Sequence, residues 1–203
     1  MIPINLVVED DLSEIIVCQL LQQSTRPFYI GARYGKQGFG YIKRNIAGFN
    51  NAAKGTAYFV LTDLDNAKCP SLLIDSWLGT KRHPNLIFRI AVREVESWVM
   101  AHRSAFAKFF EIENHRIPER LDEISNAKEF LINLVRNSRN AKIRESVVPS
   151  SGSSAKVGPD YGGVLMEFVT KRWKSKQAAR HSESLVRALR AIQKFKPVFE
   201  KKR

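Results

Sequence analysis

The first half of the chain alternates between short apolar runs and segments whose apolar residues recur at helical spacing. The apolar runs have the length and composition typical of buried strands, and they cover 4–8, 27–30, 56–62 and 86–90. The segments with helical spacing cover 11–23, 39–53, 70–78 and 93–110. This β-α-β-α-β-α-β-α order predicts an α/β fold, with a parallel sheet covered by helices on both faces.

The second half of the chain contains no further strand-like run. Apolar residues at helical spacing predict helices over 126–138, 161–173 and 178–195, and turn-forming residues over 147–154 predict a loop. We therefore predict an α/β core over 1–112 and a helical, basic region over 113–203 that packs on it. The length suits one compact unit of this kind.

The composition narrows the class of protein. The chain has 203 residues, of which 44% are hydrophobic, as in ordinary globular proteins. No apolar run approaches the roughly 18 residues of a membrane helix, and the N-terminus lacks the basic start of a signal peptide. Cys18 and Cys69 are far apart and show no metal-binding spacing, so neither structural zinc nor a disulfide framework is expected. These features predict a cytoplasmic protein with reduced thiols.

The charge favours an anionic partner. The net charge is +13, and residues 171–203 hold twelve Lys or Arg against two acids. Nucleic acid, DNA or RNA, is the first choice and an anionic membrane the second. The residues predicted to contact phosphates are Arg172, Lys174, Lys176, Arg180, Arg187 and Arg190.

Carboxylates stand where three of the predicted strands end. Glu9 follows the first strand, and Asp63 and Asp65 end the third. In parallel α/β folds the carboxyl ends of the strands line the ligand crevice, so these acids meet if the first and third strands are neighbours. The two aspartates point the same way if the segment is extended. Oxygen ligands of this kind suit Mg²⁺ or Mn²⁺.

Two further acids, Glu94 and Glu96, follow the fourth strand. On a helix they lie about 200° apart, so that one faces the metal site, with Glu96 preferred. If the helix starts later than Arg93, both can reach the site. His102 falls on the apolar stripe of the same predicted helix, where a buried, hydrogen-bonded histidine is the ordinary interpretation and a catalytic or phosphate-binding role the alternative.

Glu9 after one strand and Asp63-x-Asp65 after a later one resemble the Toprim pattern of topoisomerases, primases and nucleases of the overcoming-lysogenization-defect group. The chain is more similar still to a bacterial family of uncharacterised Toprim-like proteins. The segments that carry this resemblance include 8–14, 60–65, 89–98, 127–129, 156–161 and 182–185. Where that family usually has an acid after the Trp-containing helix, this chain has His102.

The resemblance implies a Toprim-like Rossmannoid fold and a metal-dependent nuclease. Glu9 would be general base or metal ligand, and Asp63 and Asp65 metal ligands. Lys156, in a matched motif, would neutralise charge in the transition state. Relatives often occur beside an ATPase in phage-defence settings, so the resemblance also implies a defence effector with an ATPase partner. Homo-oligomerisation is left open.

Two other interpretations of the acids remain. A haloacid-dehalogenase-type phosphatase also has Asp-x-Asp after a strand, but there the pair ends the first strand, whereas here it ends the third. A non-catalytic subunit would use the acids as turn residues or as a degenerate site, and would grip nucleic acid or an ATPase with its basic helices. A phosphate-binding loop of the Gly-x-x-x-x-Gly-Lys type is missing from the sequence, so the chain itself is not expected to hydrolyse ATP.

Overall fold

A computed structural model describes residues 1–198, and residues 199–203, which include three of the basic residues counted above, lie outside the described part. The strands are β1 (Ile2–Val8), β2 (Phe28–Gly35), β3 (Ala57–Asp63) and β4 (Leu86–Ala91). The helices of the first half are α1 (Asp11–Gln22), α2 (Phe39–Ala52), α3 (Pro70–Leu78), α4 (Val95–Ala101) and α5 (Arg103–Phe109). Those of the second half are α6 (Ala127–Val135), α7 (Ala141–Val147), α8 (Tyr161–Lys171), α9 (Ser175–Ala178) and α10 (Glu183–Lys194).

The four strands form one sheet in the order β2-β1-β3-β4, and every pair is parallel. The α/β prediction, with a parallel sheet flanked by helices and a helical C-terminal part, is therefore confirmed. The chain leaves β1 toward β2 on one side and later returns to place β3 on the other. The carboxyl end of β1 is thus a point where strand order reverses, which is where ligands bind in open α/β sheets.

Both faces of β1, β3 and β4 are buried, which explains why these strands are continuous apolar runs, whereas β2 at the edge is largely exposed. On one face, Val7 and Val60 pack with Ile42 of α2 and Leu73 of α3. On the other face, the sheet packs against α1, α4 and the C-terminal helices in a single larger core.

The C-terminal helices belong to this same core. Indole nitrogens join the two halves: Trp173 donates to the carbonyl of Trp98 at 2.9 Å, and Trp98 donates to the hydroxyl of Ser184 at 2.7 Å. Both tryptophans are buried. The described part of 113–203 therefore packs directly on 1–112. No helix within residues 1–198 is both long and apolar enough to cross a membrane.

The structure differs from the predicted elements in several places. Among these, α9 was not predicted, and the helix predicted over 178–195 begins at Glu183. The helix predicted over 93–110 is two helices, α4 and α5, that meet at His102. β2 continues to Gly35, five residues beyond the predicted end of the strand at residue 30. α7 was not predicted, although Asn140 caps it by accepting a 3.2 Å hydrogen bond from the amide of Ile143.

Candidate carboxylate site

Glu9 and Asp63 meet at the carboxyl ends of β1 and β3. The backbone amide of Asp63 donates a 2.9 Å hydrogen bond to Oε1 of Glu9, and the hydroxyl of Thr62 donates to the same oxygen. These contacts exist because β1 and β3 are adjacent, with Val7 opposite Val60. Burial raises the pKa of Glu9, against the lowering effect of the two hydrogen bonds. The predicted convergence of these two acids is confirmed.

Asp63 also connects the sheet to α4. Its Oδ1 accepts a 2.9 Å hydrogen bond from the amide of Val95, the first residue of that helix. Burial raises the pKa of Asp63 well above its ordinary value, and repulsion from Glu96, Glu9 and other acids adds to the effect. The neighbouring carboxylates therefore repel one another, and each one disfavours the ionisation of Asp63.

Glu96 is almost fully buried, with 2% of its surface exposed. Its Oε1 accepts a 2.9 Å hydrogen bond from the hydroxyl of Tyr161 and lies 3.4 Å from Nζ of Lys128. Its Oε2 is buried without a hydrogen-bond partner among residues 1–198. A buried carboxylate oxygen without a partner is costly, so this atom is a candidate for binding something that the protein chain does not supply.

Glu94 reaches the same region because α4 begins at Val95. Glu94 is the extended residue before the helix, so the helical phase that would separate it from Glu96 does not apply. Its Oε2 accepts a 2.7 Å hydrogen bond from the backbone amide of Lys128. Burial and then Glu94 raise the pKa of Asp65, while Lys128 lowers it. Glu94 thus acts on Asp65, and Glu96 on Asp63.

Asp65 does not follow the geometry assumed from the sequence. The strand ends at Asp63, and Asp65 has a φ of 47°, in the left-handed region that Asp tolerates in turns. The alternation of side chains along an extended strand therefore fails at this residue. Asp65 is exposed at the mouth of the site, and its charge still raises the pKa values of Glu9 and Asp63.

Lys128 is the basic side chain that acts on this group of acids. Burial lowers its pKa, but attraction from Glu96, Glu94 and Asp63 outweighs burial and leaves the pKa raised. Lys128 thus offsets part of the repulsion among these acids. We name the five acids the carboxylate site: Glu9, Asp63, Asp65, Glu94 and Glu96. Burial and repulsion among acids raise the pKa values of Glu9, Asp63, Asp65 and Glu96, and Lys128 lowers those of Asp65 and Glu96.

The carboxylate site offers only oxygen atoms as metal ligands, and oxygen ligands are those that Mg²⁺ and Mn²⁺ prefer. Oδ2 of Asp63 and Oε2 of Glu9 accept no hydrogen bond from the described residues. Within residues 1–198, however, no three His, Cys, Asp or Glu side chains stand close enough together to form a ready metal-ligand group. The carboxylate oxygens therefore suit such an ion in their chemistry and charge, but they are not arranged around one.

Two residues predicted from the resemblance or the helical pattern lie apart from these contacts. Lys156 is exposed on a loop and makes no hydrogen bond or ion pair with the described residues. His102 is half-buried at the junction of α4 and α5, where its Nδ1 accepts a 3.0 Å hydrogen bond from the amide of Lys174. Its pKa is lowered by burial and by Lys174. This matches the ordinary interpretation of His102 as a hydrogen-bonded structural residue.

Lys128 and Tyr161 were missed as site residues. Both fall in segments quoted for the resemblance, 127–129 and 156–161, but nothing in their spacing indicated which side chain mattered. Only the packing of α6 and α8 against α4 brings them to Glu96. In the second segment Tyr161, rather than Lys156, is the residue that touches a carboxylate.

The six basic residues predicted to contact phosphates are all exposed. They are spread over the end of α8, the segment around α9, and α10. Arg187 pairs with Glu183 at 3.1 Å across one turn of α10. Lys201, Lys202 and Arg203 of the same charge cluster lie outside the described residues.

Comparison of the chain with protein-family models, curated proteins and solved structures finds no significant match. Membership of a Toprim-like family therefore stays a prediction.

Proposed function

We propose that the chain is a metal-dependent nuclease that hydrolyses phosphodiester bonds at the carboxylate site. The observation that carries this proposal is the convergence of two further acids on Asp63: Glu9 from the end of β1 and Glu96 from the first turn of α4. One oxygen of Glu96 is buried and has no hydrogen-bond partner among residues 1–198. Such a group is costly in a folded protein unless it serves to bind a cation.

Glu9, Asp63 and Asp65 are the residues proposed to hold Mg²⁺ or Mn²⁺. When bound, such an ion would activate water and stabilise the leaving oxygen of the phosphodiester. The protein side chains have separate tasks. Thr62 and the amide of Asp63 fix Oε1 of Glu9, which leaves Oε2 to hold the cation or to accept a proton from water. The amide of Val95 fixes Asp63 in the same way.

Lys128 and Tyr161 hold Glu96 in place and limit the repulsion between the acids. In this proposal Lys128, rather than Lys156, is the lysine that acts on the carboxylates. A net charge of +13 favours a polyanionic substrate, which we propose is DNA or RNA. The wider setting, a phage-defence effector that works with an ATPase partner, rests on the resemblance alone.

One alternative has an observation of its own. Lys128 already acts as an internal counter-ion for Glu96, and the acids are not arranged as a metal-ligand group within residues 1–198. Both facts suit a degenerate site in a non-catalytic subunit that binds nucleic acid or an ATPase.

The test is a cleavage assay with labelled DNA and RNA in Mg²⁺, Mn²⁺ or EDTA. Asp63→Asn keeps the acceptor for the Val95 amide but removes the charge. We expect cleavage in Mn²⁺ or Mg²⁺, none in EDTA, and a loss of roughly 100-fold or more in Asp63→Asn, as for loss of a principal catalytic group.

The matched control is Asp75→Asn, which changes an exposed aspartate of α3. It should cleave like the wild type. Cleavage in EDTA, or equal activity in Asp63→Asn, would refute the nuclease proposal. A protein that binds nucleic acid but does not cut it would favour the non-catalytic subunit.

A further inference from the structure

Arg89 occupies an unusual position in the sheet. It lies in β4, an edge strand, opposite Leu61 of β3. Alternation along a strand places it on the same face as Ile87 and Ala91, and both of these pack in the larger core. α10 covers this edge with Leu185, Ala188 and Ile192 of that core. A charged guanidinium thus stands in the middle of an otherwise apolar contact.

Arg89 is half-buried, and within residues 1–198 no acidic side chain pairs with its guanidinium. Its Nε is buried and has no hydrogen-bond partner among residues 1–198. Burial lowers the pKa of Arg89, and the other charges that act on it are the like charges of Arg82 and Arg187. A half-buried guanidinium whose Nε has no partner is destabilising, and an anion that enters from solvent would supply that partner.

A groove of about 340 Å³ gives an anion access to Arg89. Among residues 1–198, its charged lining is basic and comprises Arg82, Arg89, Lys194 and Lys196. Val198, the last described residue, is held here by Asn85, whose side chain exchanges two 2.7 Å hydrogen bonds with the backbone of Val198. This pairing places Lys196 at the groove.

A second groove also reaches Arg89, on the side of the carboxyl end of β4. It is lined by Arg89, Arg187 and Val92, the residue that follows β4. Its two acids are already engaged, since Glu183 pairs with Arg187 and Asp122 accepts hydrogen bonds from the hydroxyl of Ser182 and the amide of Ser184. The six residues of β4 span roughly 20 Å, which is enough for several phosphates of an extended strand.

The two grooves share Arg89, and together we name them the channel. We propose that this channel binds consecutive phosphates of a nucleic-acid strand, with Arg89 as its central contact. This inference rests on the proposed nuclease function and adds the path of the substrate. Arg89 suits this role because its guanidinium forms paired, charge-assisted hydrogen bonds to phosphate.

The test measures binding of the full chain to labelled single-stranded DNA and RNA of about 20 nucleotides, in EDTA and at several salt concentrations. Arg89→Gln should weaken binding roughly tenfold or more and reduce the salt slope by about one. The matched control is Arg136→Gln, which changes an exposed arginine that lines neither groove. It should stay close to the wild type.

A double variant, Lys194→Gln with Lys196→Gln, keeps the test decisive if Arg89→Gln does not fold. Both lysines are exposed, so folding does not depend on them. The control pair is Lys108→Gln with Lys142→Gln, which removes two exposed charges elsewhere. Equal losses in the two pairs would show a general charge effect and overturn the channel. Failure of every oligonucleotide to bind at low salt would also overturn the channel.

Inorganic phosphate, added at constant ionic strength, separates a strand site from a site for free phosphate. A strand site retains the oligonucleotide, whereas release by phosphate would contradict the proposal. Because binding is measured in EDTA, its result is independent of cleavage. If the wild type binds in an Arg89-dependent way but does not cleave, only the nuclease proposal is refuted. If it cleaves but its binding does not depend on Arg89, only the channel is refuted.

Discussion

The hydroxyl of Tyr161 donates a 2.9 Å hydrogen bond to Oε1 of Glu96, and both side chains are buried. Tyr161 is the first residue of α8, and Glu96 lies in α4. The C-terminal region thus forms part of the wall of the carboxylate site. Burial and the negative charge of Glu96 raise the pKa of Tyr161 far above its usual value, so that the hydroxyl keeps its proton and remains a donor.

Tyr161→Phe should destabilise the protein by about 1–3 kcal/mol, because it leaves a buried carboxylate oxygen without its hydroxyl donor. Urea denaturation measures the free energy of unfolding. Tyr29→Phe is the control, since 59% of Tyr29 is exposed. It should change the stability by less than about 0.5 kcal/mol. Equal effects of the two substitutions would show that the bond to Glu96 does not matter.

Lys128 and Glu96 should be energetically coupled. A double-mutant cycle with Lys128→Gln and Glu96→Gln is expected to give a coupling energy of about 1 kcal/mol, kept small because Lys128 is partly solvated. The exposed pair Lys171 and Glu167 offers a matched cycle, whose coupling energy should be smaller because solvent screens the two charges. A coupling for Lys128 and Glu96 no larger than this would contradict the role of Lys128 as counter-ion.

Most of the fold could be predicted from the sequence, and the site only in part. Parallel strands that are buried on both faces leave continuous apolar runs, so β1, β3 and β4 were found to within a few residues. Glu9 and Asp63 could be paired because they stand at strand ends. Lys128 and Tyr161 could not, because their position depends on how α6 and α8 pack against α4.

The sequence pattern does not predict the break between α4 and α5 or the turn at Asp65, for related reasons. His102 is held by the backbone amide of Lys174, a contact between distant parts of the chain that helical spacing does not show. The amide of Asp65 donates a 3.0 Å hydrogen bond to the carbonyl of Arg93, which turns the chain after β3. In both places tertiary hydrogen bonds override the local pattern.

Asp63→Asn should stabilise the protein in the absence of metal, although it should abolish activity. The raised pKa of Asp63 means that its ionisation disfavours the folded state, so that the wild type loses stability as the pH rises through the folded-state pKa. The asparagine variant escapes this loss. In EDTA at pH 8 we expect it to be more stable by about 0.5–2 kcal/mol.

The comparison uses thermal or urea unfolding of wild type, Asp63→Asn and Asp75→Asn. Asp75 is exposed, so its substitution should leave the stability unchanged. A destabilised Asp63→Asn would indicate that Asp63 is held for structural reasons, through its hydrogen bond from the Val95 amide. A stabilised variant would show that the fold retains Asp63 at a cost.

The most direct test of the carboxylate site is calorimetric titration of Mn²⁺ into the metal-free wild type, Asp63→Asn and Asp75→Asn. Mn²⁺ suits an all-oxygen site, and heats of binding report it without any assay of cleavage. We predict saturable Mn²⁺ binding by the wild type and by Asp75→Asn, and its loss in Asp63→Asn. Absence of binding by the wild type, or undiminished binding by Asp63→Asn, would contradict the account.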